Sequence, residues 1–272
     1  WMKAVFENPG VVLAAPRGFA KSHIFCLFLP LYILLTKRNQ TIALLGSSIK
    51  NVQAKWMVKL MEELECNKEI IRDFGEQKTA MWSRDSIRLA NGNQLTPYGV
   101  DTKYRGERPT WLIIDDIEND INVRNPEQRK HVMNMFESAW FNSLTPDGHL
   151  VVAGTILHLQ GFISTLINAP LGPRVKWFRK IYQGLIKDEN GNEVSAWPEW
   201  YPTENLLMRR EVSPAKFEQE FQNNPLPEEL MLFHDNDIVR YDNLPQNLAF
   251  VTAVDPASSM DPDADESVIL TA

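Results

Sequence analysis

Several short stretches of this sequence carry side chains that could do chemistry, and three of them suit one reaction. In "APRGFAKS" (15–22), lysine and serine follow a turn between two apolar runs, "VVLAA" and "HIFCLFL". That is the layout of a phosphate-binding loop, G-x-x-x-x-G-K-[ST]. Backbone N–H groups wrap the phosphates, the lysine neutralises them, and the hydroxyl holds Mg²⁺. Both glycine positions hold alanine, Ala15 and Ala20, and Gly18 alone offers free access to positive φ. On this reading Pro16, Arg17, Gly18, Phe19, Ala20, Lys21 and Ser22 surround the phosphates. Lys21 meets the β- and γ-phosphates, Ser22 the metal, and Arg17 reaches the γ-phosphate to stabilise charge in the transition state. Taken alone, the stretch also reads as an ordinary helix start with a surface arginine.

"WLIIDDIEND" (111–120) ends a strand-like run in acids. Phosphoryl transfer to water needs one carboxylate to hold Mg²⁺ and another to orient the attacking water. Asp115 suits the first role, and Asp116 or Glu118 the second. "VVAGTILH" (151–158) ends a further apolar run at Gly154 and Thr155, where a hydroxyl could sense the γ-phosphate. "DTKYRGERPT" (101–110) places Lys103, Arg105 and Arg108 before the acidic strand, where they could contact DNA phosphates or a neighbouring subunit's ATP; a solvated charged loop reads equally well. "FVTAVDPA" (250–257) ends a strand at Asp255, with Asp261, Asp263 and Asp265 close behind. A strand-borne aspartate of this kind begins many two-metal nucleases. The spacing lacks the central Gly and terminal Glu of a calcium loop.

The elements that must position these residues show in the pattern. Apolar runs without alternation at 11–15, 41–46, 110–116 and 149–155 are separated by helical periodicity, including Val52, Trp56, Leu60 and Leu64 at spacing four. This predicts an α/β fold with a mainly parallel sheet covered on both faces, whose ligands bind beyond the carboxyl ends of the strands. Residues 86–99 read as a hairpin turned at Asn91-Gly92. The chemistry-bearing positions 16–22, 115–118 and 154–158 all fall at strand carboxyl ends. After about residue 185 the pattern changes to short helices broken by prolines, and near 246 a strand, an acidic turn and a strand begin afresh.

The 272 residues carry a net charge of −7, so any contact with nucleic acid must be local. Cys26 and Cys66 lack partner spacing and read as reduced intracellular thiols. The apolar run Ile24 to Leu35 contains Pro30 and is too short to span a bilayer. The opening Trp1-Met2 and the closing "SVILTA" suggest a fragment cut at both ends.

With three strand ends in this order, the sequence resembles the large terminase subunit of tailed bacteriophages and prophages. "APRGFAKS" is similar to the family's loop, "LIIDDIE" to its Walker B strand and "VVAGTILH" to its coupling motif. "WPEWYPTENLLMRREVSPAKFEQEFQNNPLPEE" resembles its connector, and "TAVDPA" its first nuclease strand. The resemblance implies a P-loop NTPase of the additional-strand type over 1–185, a lid or connector over 186–245, and the start of an RNase H-like nuclease over 246–272. It implies ATP and Mg²⁺ as cofactors, with Mg²⁺ or Mn²⁺ for the nuclease. Lys21 and Ser22 would take phosphate and Mg²⁺, Asp115 would be the Walker B acid, and Asp116 or Glu118 would orient water. Arg17 would act in cis and Arg105 across a ring, Gly154 and Thr155 would couple, and Asp255 would be the first nuclease ligand. The remaining nuclease acids would lie beyond residue 272, so this fragment is expected not to cut DNA. The implied partners are double-stranded DNA, the portal protein, the small terminase subunit and further copies in a ring, with no membrane. The implied place is the cytoplasm of the infected bacterial host, outside the mature virion. Other readings are a helicase or remodeller of the same ATPase group and an inactive P-loop scaffold.

Overall fold

Strands built only of apolar residues pair stably where both of their faces are covered. That is how β1 (Gly10–Ala14), β2 (Thr41–Gly46), β6 (Trp111–Asp115) and β7 (His149–Gly154) are placed in the computed structural model. The structure describes residues 1–225, apart from 101, 103–107, 121, 171 and 173–174, and also the strands 252–255 and 268–271. It divides into two compact units, Trp1–Glu229 and Leu230–Ala272.

The first unit holds a sheet of order β3-β4-β5-β2-β6-β7-β1-β8. Every pair from β5 (Gln94–Gly99) to β8 (Trp177–Ile181) is parallel, with Val12 opposite Val152 and Ile113 opposite Val151. β3 (Trp82–Ser83) and β4 (Ser86–Arg88) add antiparallel at one edge, and the β4–β5 turn carries Gly92 at φ 88° where the sequence calls for a hairpin.

Side chains alternate between two cores. One face of the sheet presents Leu13, Leu44, Ile113 and Val151 to Phe25, Ile33 and the stripe Val52, Trp56, Leu60 and Leu64. The other presents Val12, Leu45, Leu112 and Val152 to Phe136, Trp140, Phe162 and Leu166. The helical run after the loop stays helical through Pro30. The turn before it, Ile24–Phe28, is π-helical, and such a widened turn accommodates a residue that lacks an N–H and crowds the carbonyl four back.

β8, beside β1, is absent from the pattern of apolar runs because its sequence, WFRKI, contains Arg179 and Lys180 and lies half-buried to exposed at an edge. Beyond it come the hairpin of β9 (Leu185–Lys187) and β10 (Glu193–Ser195) and the helices Thr203–Val212 and Pro214–Glu220. Leu185, Leu206, Phe217 and Phe221 form a third apolar cluster around Phe19. Residues 186–225, which read in sequence as a connector, are therefore packed onto the loop itself.

In the second unit β11 (Thr252–Asp255) pairs antiparallel with β12 (Val268–Thr271), Asp255 opposite Val268. This is the expected strand pair; Asp261, Asp263 and Asp265 lie outside the described residues. No helix among the described residues is long and apolar enough to cross a membrane.

Candidate active site

The turn after β1 has the left-handed backbone that the sequence reading as a phosphate loop expects. Gly18 and Ala20 both adopt positive φ, 78° and 59°, and Ala20 stands just before the helix that begins at Lys21. A left-handed alanine costs about 1–2 kcal/mol, which glycine would not incur. Gly18 is required twice: for its φ, and because a Cβ there would lie 2.5 Å from the Tyr201 hydroxyl. Tyr201 in turn stacks on Phe19 at 5.3 Å. The loop is thus held from both sides, by β1 and by the helices of 203–220.

Lys21 is 5% exposed. Its Nζ donates to Thr155 Oγ1 at 2.9 Å and lies 3.6 Å from Asp116 Oδ1. The Thr155 hydroxyl donates onward to the Ala15 carbonyl at 3.3 Å. The carboxyl ends of β1, β6 and β7 are therefore joined through one ammonium group.

Asp115 is buried, and its Oδ1 has no hydrogen-bond partner. Burial and then the Asp116 charge push its carboxyl up to about 7, against the pull of the Ser22 hydroxyl, Lys21 and the Cys26 thiol. A buried carboxylate oxygen without a partner, next to a serine hydroxyl, fits a hard divalent cation. Among the described residues no group of three or more His, Cys, Asp or Glu could hold a metal ion. Mg²⁺ needs no such group, since it keeps waters and takes phosphate oxygens beside one or two carboxylates.

The two candidates for orienting water differ in kind. Asp116 turns out of β6 at φ 41°, half-exposed, with Lys21 as its ionic neighbour. A Cβ on Gly154 would lie 3.1 Å from Asp116 Oδ1 and 2.4 Å from Ile163 Cδ1, so the glycine that ends β7 makes room for this turn. Glu118 instead accepts the Phe162 N–H at Oε2, 2.9 Å, and leaves Oε1 buried without a partner. Burial pushes its carboxyl up, opposed by that N–H and by Arg129. Gly161 lets the glutamate approach, because a Cβ there would lie 2.8 Å from Oε2.

Arg17, Lys21, Ser22, Asp116, Glu118 and Thr155 line one cavity of about 670 Å³. A second, more apolar cavity of about 580 Å³ shares Ala20 and Trp197 with the first and is walled also by Phe19 and Tyr182. Arg17 is engaged within the protein: its Nη1 is 2.5 Å from Glu220 Oε1, and its N–H donates to the Glu220 carbonyl at 2.9 Å.

Sequence reasoning missed this third support of the site. Gln219 Nε2 donates to the Leu157 carbonyl at 2.6 Å, Asn223 Oδ1 accepts the Ile156 N–H at 2.9 Å, and Lys216 pairs with Asp120 at 3.2 Å. The only signal was the run "FEQEFQNNP", whose polar residues recur inside an apolar pattern. Of the other sequence candidates, Arg105 lies outside the described residues, and Asp255 closes β11 in the second unit.

A β1–loop–helix unit facing strand-borne acids sits at the carboxyl edge of a mixed α/β fold with a mostly parallel sheet. More narrowly, this is the fold of the ATPase domain of phage large terminases. Over 80% of this chain, that domain from Thermus phage P74-26 superposes with a TM-score of 0.56 at 11% identity, and 89% of it is covered. The large terminase of bacteriophage HK97 superposes over 82% of this chain with a TM-score of 0.57 at 14% identity. A large terminase from a thermophilic bacteriophage, solved with ADP, gives 0.50 at 9%. The chain spans 48% of each of these last two proteins, about half their length. No protein-family model matches the sequence, and no curated protein does.

Proposed function

We propose that this chain is the ATP-hydrolysing motor portion of a phage large terminase, which drives double-stranded DNA into a procapsid. The observation that carries the reading is the meeting of Lys21, Thr155, Asp116 and Glu118 at one cavity, with Ser22 and Asp115 beside Lys21. The loop N–H groups and Lys21 would bind the phosphates, and Ser22 with Asp115 would hold Mg²⁺. When bound, that ion would neutralise charge on the phosphate oxygens.

Glu118 is the better placed of the two acids to take the water proton. Its free oxygen and raised pKa suit a base, whereas the Asp116 charge is spent on Lys21. The apolar cavity around Tyr182 and Trp197 is of a size and character to take the base of the nucleotide. Arg17 would leave Glu220 for the γ-phosphate. Large-terminase neighbours, one of them holding ADP, support the reading at the level of fold.

The wider function follows the same proposal. Copies would form a ring on the portal with the small terminase subunit, in the cytoplasm of the infected host and outside the virion. Arg105 would act across that ring, Gly154 and Thr155 would couple hydrolysis to movement, and Asp255 would be the first metal ligand of a two-metal nuclease. The test is Mg²⁺-dependent release of phosphate from ATP. Lys21→Ala is expected to lower it at least about 10³-fold, the scale of losing a preorganised charge at a phosphoryl transition state. No turnover by the unaltered chain in a complete assembly with portal and DNA would sink the proposal and favour an inactive scaffold.

A further inference from the structure

The cavity beside the loop must take a polyanion, yet two of its cations are already compensated. Arg17 is paired with Glu220 and Lys21 with Asp116, and Glu118 adds a further carboxyl to the wall. Lys55, which also lines the cavity, has no carboxylate partner among the described residues. Its Nζ rests 4.5 Å above the Trp56 ring. Lys59 lies 5.4 Å from the same ring, His23 meets that ring edge-on at 5.3 Å, and His23 Nε2 is 3.4 Å from Lys59 Nζ.

Two lysines therefore crowd one indole that is 5% exposed, beside an imidazole that burial and those lysines push towards its neutral form. Like charges gathered without a counterion are an arrangement that an anion relieves. Lys55 stands in a π-helical turn, Gln53–Met57, a distortion that recurs at functional sites. Its helix follows β2, and β2 lies beyond β6 from β1, so Lys55 reaches the cavity from the side of the acids.

We propose that Lys55 is a second lysine on the terminal phosphate of the nucleotide, and that it lets the site tell triphosphate from diphosphate. The inference rests on the ATPase reading above. Its test is equilibrium binding of ATPγS and ADP, each with Mg²⁺, to the full chain. Lys55→Ala is expected to weaken ATPγS about tenfold and ADP by less than about twofold, the scale of one charge-assisted hydrogen bond at a partly open site. Lys55→Arg should recover most of the loss, and Lys50→Ala, an exposed residue earlier on the same helix, should change neither affinity. Lys21→Ala should weaken both nucleotides. If Lys55→Ala lowers both affinities equally, or neither, while Lys21→Ala still acts, the role of Lys55 is refuted and the ATPase reading stands. If the unaltered chain binds neither nucleotide, both fall together.

Discussion

The two ends of the central sheet differ in the polar groups they leave unpaired. At the amino ends, Asn93 is fully buried, yet its Nδ2 donates to the Leu34 and Lys37 carbonyls and its Oδ1 accepts the Gln40 N–H, at 2.7–2.8 Å. Gln40 Oε1 in turn accepts from Trp111 Nε1 and the Thr110 hydroxyl. At the carboxyl ends, Asp115 and Glu118 each bury an oxygen without a partner, and Ala20 and Asp116 hold positive φ. A buried polar group without a partner costs about 1–3 kcal/mol. The amino end thus pairs the side chains of Asn93 and Gln40 to fix the fold, though His149 Nδ1 there is also buried without a partner, while the carboxyl end leaves two carboxylate oxygens unspent beside strained backbone. Unspent donors and acceptors are what a ligand can pair with, so the contrast separates stability from function along a single set of strands.

The sharpest way to break that contrast is at Glu118. Glu118→Gln keeps the Phe162 contact but removes the basic oxygen, and turnover is expected to fall about 10³-fold, within the usual range for a general base. Asp116→Asn loses a half-exposed partner of Lys21 and should cost nearer about tenfold. Melting temperature should hardly move in either variant. Only the ionised Glu118 can accept a proton, and burial raises its pKa. The Glu118 contribution to the acid limb of the pH–rate profile should therefore lie above the ordinary glutamate value of 4.5 and be lost in Glu118→Gln, leaving the limb set by Asp115. A larger loss from Asp116→Asn would reverse the assignment.

How much of this could be read in advance depends on whether the controlling contact is local. β1, β2, β6 and β7 were legible because burial on both faces leaves an unbroken apolar run, and the loop because its lysine and serine stand between two such runs. β8 was not, since Arg179 and Lys180 break the run at an exposed edge. Spacing alone does not separate Asp116 from Glu118, which differ in the kink at Asp116 and in the Phe162 N–H, 44 residues from Glu118. Nor could it show that Arg17 is held by Glu220, 203 residues away. The sequence names the groups that can react; contacts distant in sequence decide which of them are free.

The opposite end gives the next test. Asn93→Ala would strand the Lys37 carbonyl and the Gln40 N–H in the interior, while the Leu34 carbonyl would keep the Asn91 amide as donor. The expected cost is about 2–3 kcal/mol of stability, read as a lower midpoint in urea, with turnover per folded molecule unchanged. If turnover per folded molecule falls with the midpoint, the two ends are coupled and the division of labour fails.

The smallest effect tests whether the carboxyl end is strained rather than merely unpaired. Ala20→Gly would remove a left-handed alanine worth about 1–2 kcal/mol but would also loosen the unfolded chain by about 0.5–1 kcal/mol. The net gain should be about 0.5 kcal/mol, a rise of about 1–2 °C in melting temperature for a unit of this size. Gly18→Ala is the matching control. It introduces positive-φ strain and a contact with Tyr201 together, so it should destabilise by more than Ala20→Gly stabilises. A melting temperature that falls in Ala20→Gly would mean that the loop relaxes its φ in solution, and the strain assigned to this end of the sheet would then reside in Asp116 alone.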